Sequence, residues 1–166
     1  IRDMLVNGGE WWLYNLKPDN SFEYKYWPTQ NRRSEDYNEV RHILAARDLA
    51  DVWRYRNDPR YLEGSERAMK WLEQYSVYGD DAPDPEANVP HPPPGSLLFR
   101  YPSVAEWKGR QTKKHPNQKL GTVAVALLGW VSWAQATGSH AKDADIRKMA
   151  NYVASQQTDE GKFEAY

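Results

Sequence analysis

Four histidines are the first candidates for proton transfer in this sequence. His91 and His115 each precede a proline and are expected in loops, and His140 is expected at the start of a helix. Only His42 falls inside a predicted buried helix. There it is either a core histidine whose ring is satisfied by a hydrogen bond, or an acid, base or substrate contact at the open end of the fold. The sequence leaves both interpretations open.

The residues around His42 suggest a chemistry for this stretch. Asn38, Arg41 and His42 lie within about one helical turn, and Tyr24 and Tyr26 share one face of a predicted extended segment upstream. Arginine can hold a carboxylate through two parallel hydrogen bonds, asparagine can polarise that carboxylate, and tyrosine or histidine can transfer a proton. This set suits an acidic glycan. For both tyrosines, packing against outer helices is an equally good interpretation.

These roles define the candidate site. Aromatic rings stack on sugar faces, so two further aromatic residues of the predicted extended segments are included. The candidate catalytic residues are His42, Tyr24 and Tyr26, and the candidate substrate-binding residues are Arg41, Asn38, Trp27 and Tyr101.

Composition argues against several other functions. The chain of 166 residues contains no cysteine, which excludes disulfides, cysteine nucleophiles and thiolate metal sites. Its net charge is −1, with 22 basic and 23 acidic residues, which argues against a dedicated nucleic-acid surface. We expect neither a metal ion nor a cofactor.

Hydrophobic periodicity predicts an all-α chain with short aromatic extended pieces. Asp36 and Glu39 fit a capping box for a buried helix, and Asp58 with Pro59 fits the start of an amphipathic outer helix. The expected helices cover residues 1–16, 37–55, 59–75, 120–141 and 141–157, and the expected aromatic strands cover 22–26 and 97–101. A proline-rich connector over 79–95 separates the two halves.

The segment from Leu120 to Ala141 carries no charge. Its length and composition fit either a membrane span or a fully buried helix. We expect the buried helix, because Gly121, Gln135 and similar residues dilute its apolar character. We therefore predict no membrane span, and we expect this helix to be the most buried one in the fold.

One stretch of the chain occurs twice. The segment from Ala150 to Tyr166 aligns with the segment 141 positions earlier, and Phe163-Glu164 falls on Phe22-Glu23. Each copy runs from the end of a helix through a polar turn into a short aromatic piece. Buried and amphipathic helices also alternate with a period of about 80 residues. Internal repetition of this kind is typical of repeat architectures.

The second copy resembles the Gln-Trp motif of terpenoid-cyclase-like α/α toroids. The residues that carry the resemblance are Ala150, Tyr152, Val153, Gln157, Gly161 and Phe163, with Phe163 where tryptophan is usual. In the first copy, Leu16 stands in the glutamine place and Asn20 in the glycine place. The resemblance implies an α/α toroid in which the motif ties outer helices together. The six-hairpin glycosidase-like group has a related toroid architecture. Among related toroids are glycan lyases, unsaturated-glycan hydrolases, uronate epimerases and protein prenyltransferases.

The residues present narrow this range. The Asp-x-Asp-Asp motif of protonating terpenoid cyclases is absent from this sequence. Zinc-dependent prenyltransferases and lanthionine cyclases need cysteine ligands, so the absence of cysteine excludes both classes. We therefore expect one α/α-toroid domain over 1–166, with two to three hairpin repeats in an incomplete ring. An incomplete ring leaves an apolar seam exposed. We expect this seam to be covered by self-association or by further portions of the chain. The expected function is that of an acidic glycan lyase, epimerase or hydrolase; the alternative is a non-catalytic repeat scaffold.

Overall fold

The structure, a computed structural model, describes residues 2–34, 37–81, 92–99 and 120–163. Within these ranges the chain is mostly helical. The helices are α1 (Arg2–Asn15), α2 (Glu39–Arg56), α3 (Pro59–Glu73), α4 (Leu120–Thr137) and α5 (Asp143–Ser155). The strands are β1 (Tyr26–Trp27), β2 (Arg32–Arg33), β3 (Ser76–Tyr78) and β4 (Leu97–Phe99). Most of the proline-rich connector and the whole of 100–119 lie outside the described residues.

Helix α2 is the centre of the fold, because α1, α3 and α4 all pack against it. Eight of its 18 residues are buried, whereas six of the 18 residues of α4 are buried. The expectation that α4 would be the most buried helix is therefore wrong. Helix α4 packs mainly against α2 and α5, and its residue Leu128 is 50% exposed. The absence of charged residues in α4 therefore did not show whether the helix is fully or only partly buried.

Helix α4 is also the one helix of the described residues that is long and apolar enough to cross a membrane, judged by length and composition alone. A third of its apolar window, 33%, is buried inside the fold. Its N-terminal turn is tied to α2, because the hydroxyl of Thr122 donates a hydrogen bond to the buried carboxylate of Glu39 over 3.1 Å.

Local capping sets the ends of the two central helices. Asn38 is the N-cap of α2, where its side-chain oxygen accepts a hydrogen bond of 2.9 Å from the backbone N–H of Arg41. The predicted helix start at residue 37 is therefore two residues too early. The predicted N-cap, Asp36, lies outside the described residues, and Asn38 is the N-cap instead. The predicted cap of α3 is confirmed: Asp58 accepts from the N–H of Arg60, and Pro59 occupies the first turn.

The extended segments form two small antiparallel pairs, β1 with β2 and β3 with β4. Strand β4 confirms the expected extended piece at 97–99, and all three of its residues are buried. The expected strand over 22–26 forms only in part. Phe22 makes one isolated antiparallel bridge with Leu16, and a regular strand begins only at Tyr26.

The same bridge occurs again after α5, where Gln157 pairs with Phe163. We call residues 16–22 the first turn and residues 157–163 the second turn. They lie 141 positions apart, as the sequence repeat predicts. Each contains a residue with positive φ at the equivalent place, Asn20 at 68° and Gly161 at 80°.

Candidate functional site

A small aromatic cavity lies between α1 and the start of α2, beside the first turn. Its volume is about 130 Å³. The residues that line it are Trp11, Trp12, Phe22, Glu23, Tyr24, Tyr37, Asn38, Arg41 and His42. Four of the seven residues predicted for the site, Tyr24, Asn38, Arg41 and His42, are among them.

The first turn brings the aromatic wall of the cavity together. It reverses the chain after α1 so that Phe22 lies against Trp12, with ring centroids 5.5 Å apart in an edge-to-face arrangement. Trp11 and Trp12 pack edge to face at 4.8 Å. Trp12 is half-buried, and Trp11 is 51% exposed at the opening. The wall therefore presents flat apolar surface to a ligand from solvent.

Two cations flank the ring of Tyr24 at this cavity. The ammonium group of Lys25 lies 4.6 Å from the ring centroid, and the guanidinium carbon of Arg41 lies 5.2 Å from it. Both distances fall within the range of cation–π attraction. The side chain of Glu23 contributes one carboxylate nearby, but Arg33 pairs with it at 3.2 Å. The flank of the cavity at Tyr24 thus carries an excess of positive charge.

His42 lies at the back of the cavity with both ring nitrogens in hydrogen bonds. Its Nε2 is 2.7 Å from the carbonyl oxygen of Ala68, which can only accept, so Nε2 carries the proton. Its Nδ1 therefore accepts from the hydroxyl of Tyr37. That hydroxyl oxygen in turn accepts from the backbone N–H of Phe22 over 3.0 Å. The result is a continuous chain of hydrogen bonds from the first turn to α3.

Burial shifts the titration of both ring groups toward their neutral forms. The pKa of His42 falls to about 4, because burial disfavours the imidazolium, although the Ala68 carbonyl opposes that shift. The pKa of Tyr37 rises above its ordinary value, because burial disfavours the phenolate. His42 is also stacked on Trp71, with ring centroids 4.4 Å apart. Both groups are therefore neutral at pH 7.

The other predicted residues have different positions. Asn38 lines the cavity, but its side-chain oxygen is already used as the cap of α2. Tyr26 lies outside the cavity, 49% exposed, and its hydroxyl donates to the side chain of Asn31 over 2.9 Å. Trp27 also lies outside the cavity, where the guanidinium of Arg32 covers its ring at 4.0 Å. Tyr101 lies outside the described residues.

Sequence reasoning missed several residues of the cavity. These are Trp11, Trp12, Phe22, Glu23 and Tyr37. The paired tryptophans and Phe22 belong to the first copy of the repeat, which was interpreted as structure only. Tyr37 was expected to begin the helix. It precedes the N-cap Asn38 instead, whose backbone is extended, and its ring contacts the ring of His42.

No cluster of three or more metal-ligating side chains occurs among the described residues. Comparison of the chain with protein-family models, with curated proteins and with solved structures finds no match in any of the three. The cavity and its side chains are therefore the basis for assigning a function to this protein.

Proposed function

We propose that this cavity binds an acidic sugar residue and that the chain is, or belongs to, a carbohydrate-active protein. The observation that carries the proposal is that Tyr24 and Arg41 line an aromatic cavity, and that the cations of Arg41 and Lys25 both lie close to the Tyr24 ring. An aromatic ring matches the apolar face of a sugar, and a guanidinium matches a uronate carboxylate in charge and shape. The exposed side chain of Arg41 is available for such a contact.

The size of the cavity limits the ligand. Its volume of about 130 Å³ is below the range of roughly 300–1,000 Å³ typical of drug-sized ligand sites. It accommodates one sugar ring or part of one, and the rest of a glycan would extend over the exposed ring of Trp11. The proposed ligand is therefore a terminal or protruding uronate-type residue rather than a buried oligosaccharide.

The cavity's side chains favour some reactions over others. Hydrolases of glycans commonly use two carboxyl groups on either side of the bond, and Glu23 is the only carboxylate among the lining residues that the structure describes. The combination of tyrosine, histidine and arginine suits a lyase or an epimerase better. His42 can reach a ligand only through the hydroxyl of Tyr37, since its other nitrogen is bonded to Ala68. Any proton transfer by this pair would place Tyr37 in contact with the sugar.

The proposed architecture is an α/α toroid built from hairpins such as α2–α3. What supports it is the central position of α2 and the recurrence of one turn geometry 141 residues apart. A repeat protein built in this way places each hairpin on the preceding one.

Arg41→Ala tests the binding proposal. Titration of a uronic-acid disaccharide against the neutral disaccharide of the same linkage, followed by tryptophan fluorescence, should show binding of the acidic sugar only. Arg41→Ala should weaken it by about 1.5–3 kcal/mol, roughly 10- to 150-fold, as for a hydrogen bond to a charged group. Arg47→Ala is the matched control, because Arg47 lies on the same helix but pairs with Asp51. Equal affinity for both sugars, or none for either, contradicts the proposal.

The hydrogen bonds of His42 favour a second candidate, a non-catalytic scaffold. A histidine whose two nitrogens bond the first turn and α3 can act purely as a structural bridge. In that case His42→Ala destabilises the protein, and no acidic oligosaccharide protects either the wild type or the Arg41→Ala variant against thermal unfolding. Protection of the wild type by the acidic disaccharide, lost in Arg41→Ala, would exclude the scaffold as the whole function.

A further inference from the structure

The two turns have the same hydrogen-bonded backbone. In the first turn, the N–H of Lys17 donates to the carbonyl of Ser21 over 2.8 Å, and in the second the N–H of Thr158 donates to the carbonyl of Lys162 over 2.8 Å. In each turn a second backbone bond, from the N–H of the positive-φ residue to the carbonyl three residues earlier, closes the loop: Asn20 to Lys17 at 2.9 Å and Gly161 to Thr158 at 2.8 Å. The three pairs of equivalent positions, 17 and 158, 20 and 161, and 21 and 162, are each 141 residues apart.

The first turn is covered by the hairpin of α2 and α3. Arg67 of α3 reaches across it, donating from Nε to the side-chain oxygen of Asn20 over 2.9 Å and from Nη2 to the carbonyl of Lys17 over 3.0 Å. Phe22 is only 3% exposed, because the ring of His42 from α2 lies 5.1 Å from it.

The same hairpin also packs closely on the helix that precedes this turn. Glycine makes the approach possible on both sides. A Cβ at Gly9 would lie 2.9 Å from the ring of Tyr61, and a Cβ at Gly64 would lie 2.6 Å from the side chain of Leu13. Helix α1 therefore packs against α3 through positions 9 and 13, and the carbonyl of Lys17 in the turn accepts a hydrogen bond from Arg67.

The second turn and its helix have the same shape without this cover. Phe163 is 50% exposed. The positions of α5 equivalent to 9 and 13 are Ala150 and Ala154, small residues that permit close approach, and Ala154 is exposed. Among the described residues, no arginine from another element bonds to the second turn as Arg67 does to the first. Asp159 and Glu160 lie in the second turn, both exposed; Glu160 pairs with Lys162 of the same turn, so Asp159 is the carboxylate that would attract a cation.

We propose that the surface formed by Ala150, Ala154, Gly161 and Phe163 docks a helical hairpin of the α2–α3 type. The hairpin's outer helix would place a small residue against the alanines and, three positions later, an arginine on the carbonyl of Thr158, as Gly64 and Arg67 do on the first turn. Its inner helix would cover the ring of Phe163, as α2 covers Phe22. This inference does not depend on the sugar proposal, because none of the four residues of the docking surface lines the cavity.

An extended chain supplies the probe. Residues 26–75 are appended directly after Tyr166, which keeps the 141-residue register and gives the second turn its own copy of the hairpin. Hydrogen exchange is then measured on the extended and the original chains. The expected result is that the amides of Thr158 and Gly161 exchange at least about tenfold more slowly in the extended chain, and that the appended helices are protected.

Two variants of the extended chain make the result specific. Phe163→Asp should remove the protection of the appended helices and restore fast exchange in the second turn, while the original helices stay protected. Replacing the appended copy of Arg67 by alanine should weaken the protection of the turn but leave the appended helices folded. An appended segment that exchanges like an unfolded chain overturns the proposal, and so does one that folds without protecting the second turn.

The original chain tests the competing occupant, a second copy of this protein. Sedimentation of the wild type and of Phe163→Asp should give the same mass. A wild-type dimer that becomes a monomer in Phe163→Asp would show that a second copy covers this surface, and would overturn the assignment to a separate hairpin.

Discussion

Phe22 and Phe163 occupy equivalent places in two turns of the same backbone geometry, yet Phe22 is 3% exposed and Phe163 is 50% exposed. The difference lies in what packs on each turn. The first turn has α2 and α3 on it, and the second has no such hairpin among the described residues. A short polar turn can therefore form from local hydrogen bonds alone, whereas the burial of its aromatic residue depends on a neighbouring element.

The neighbour also turns the first turn into part of a site. Trp12, Phe22 and Tyr37 enclose one side of the cavity only because α2 holds Phe22 in place through His42. The second turn carries an equivalent aromatic residue, but that ring, Phe163, is 50% exposed. Comparing the same turn with and without its hairpin therefore separates local folding from site formation.

The largest difference is expected for removal of the two aromatic rings. Phe22→Ala should lower the free energy of unfolding by about 3–5 kcal/mol, because it leaves a cavity among Trp12, Tyr37 and His42. Phe163→Ala should change it by less than about 1 kcal/mol, because an exposed ring gains little from folding. Urea denaturation of both variants measures the difference. Equal losses would mean that the second turn is as well packed as the first.

A smaller effect is expected from the titration of His42, which belongs to the first turn only. Its pKa is about 4 in the folded protein and about 6.5 in an unfolded chain, so the unfolded state binds a proton that the folded state excludes. The resulting stability is present above pH 6.5 and is lost as the pH falls toward 4, by about 3 kcal/mol in total. Unfolding free energies from urea denaturation at pH 7 and pH 4.5 should show most of this loss.

A variant of His42 identifies the source of that pH dependence. His42→Gln removes the titrating group, so its stability should fall less between pH 7 and pH 4.5 than that of the wild type. A pH dependence that is unchanged in His42→Gln would show that other groups cause it.

The smallest effect is expected at the positive-φ position of the second turn. Gly161→Ala should cost about 1 kcal/mol, because φ is 80° there and a Cβ disfavours that conformation. Gly161→Asn should cost less, because asparagine occupies the equivalent position at Asn20 in the first turn. Thermal unfolding followed by circular dichroism can rank the two variants.

A helical glycine provides the opposite sign as a control. Gly121 lies on the exposed side of α4, and a Cβ there would meet nothing within 4 Å. Gly121→Ala should therefore stabilise the protein by about 0.5–1 kcal/mol through helix propensity. If Gly161→Ala behaves in the same way as Gly121→Ala, the positive φ does not determine the effect.

Features that depend on residues close together in the chain can be predicted from the amino-acid sequence. The helices follow from periodic apolar residues, the start of α3 follows from Asp58 and Pro59, and the repeated turn follows from the match between 10–24 and 151–165. Each of these is stabilised by hydrogen bonds within a few residues, so a local pattern contains the information. The same kind of local pattern can fit two neighbouring positions: Asp36 with Glu39 matches a capping box, but Asn38 caps α2.

Burial and the composition of the cavity depend on how distant elements pack together, and the sequence did not predict them. Helix α2 contains Arg41, Arg47 and Asp48 and is nevertheless more buried than the uncharged α4, because elements pack on more of its surface. In the same way, Tyr24 and Arg41 meet at the cavity while Tyr26, two residues from Tyr24, lies outside it. Which side chains converge depends on how α1, the first turn and α2 pack together, and contacts between distant residues leave no periodic signal in a single sequence.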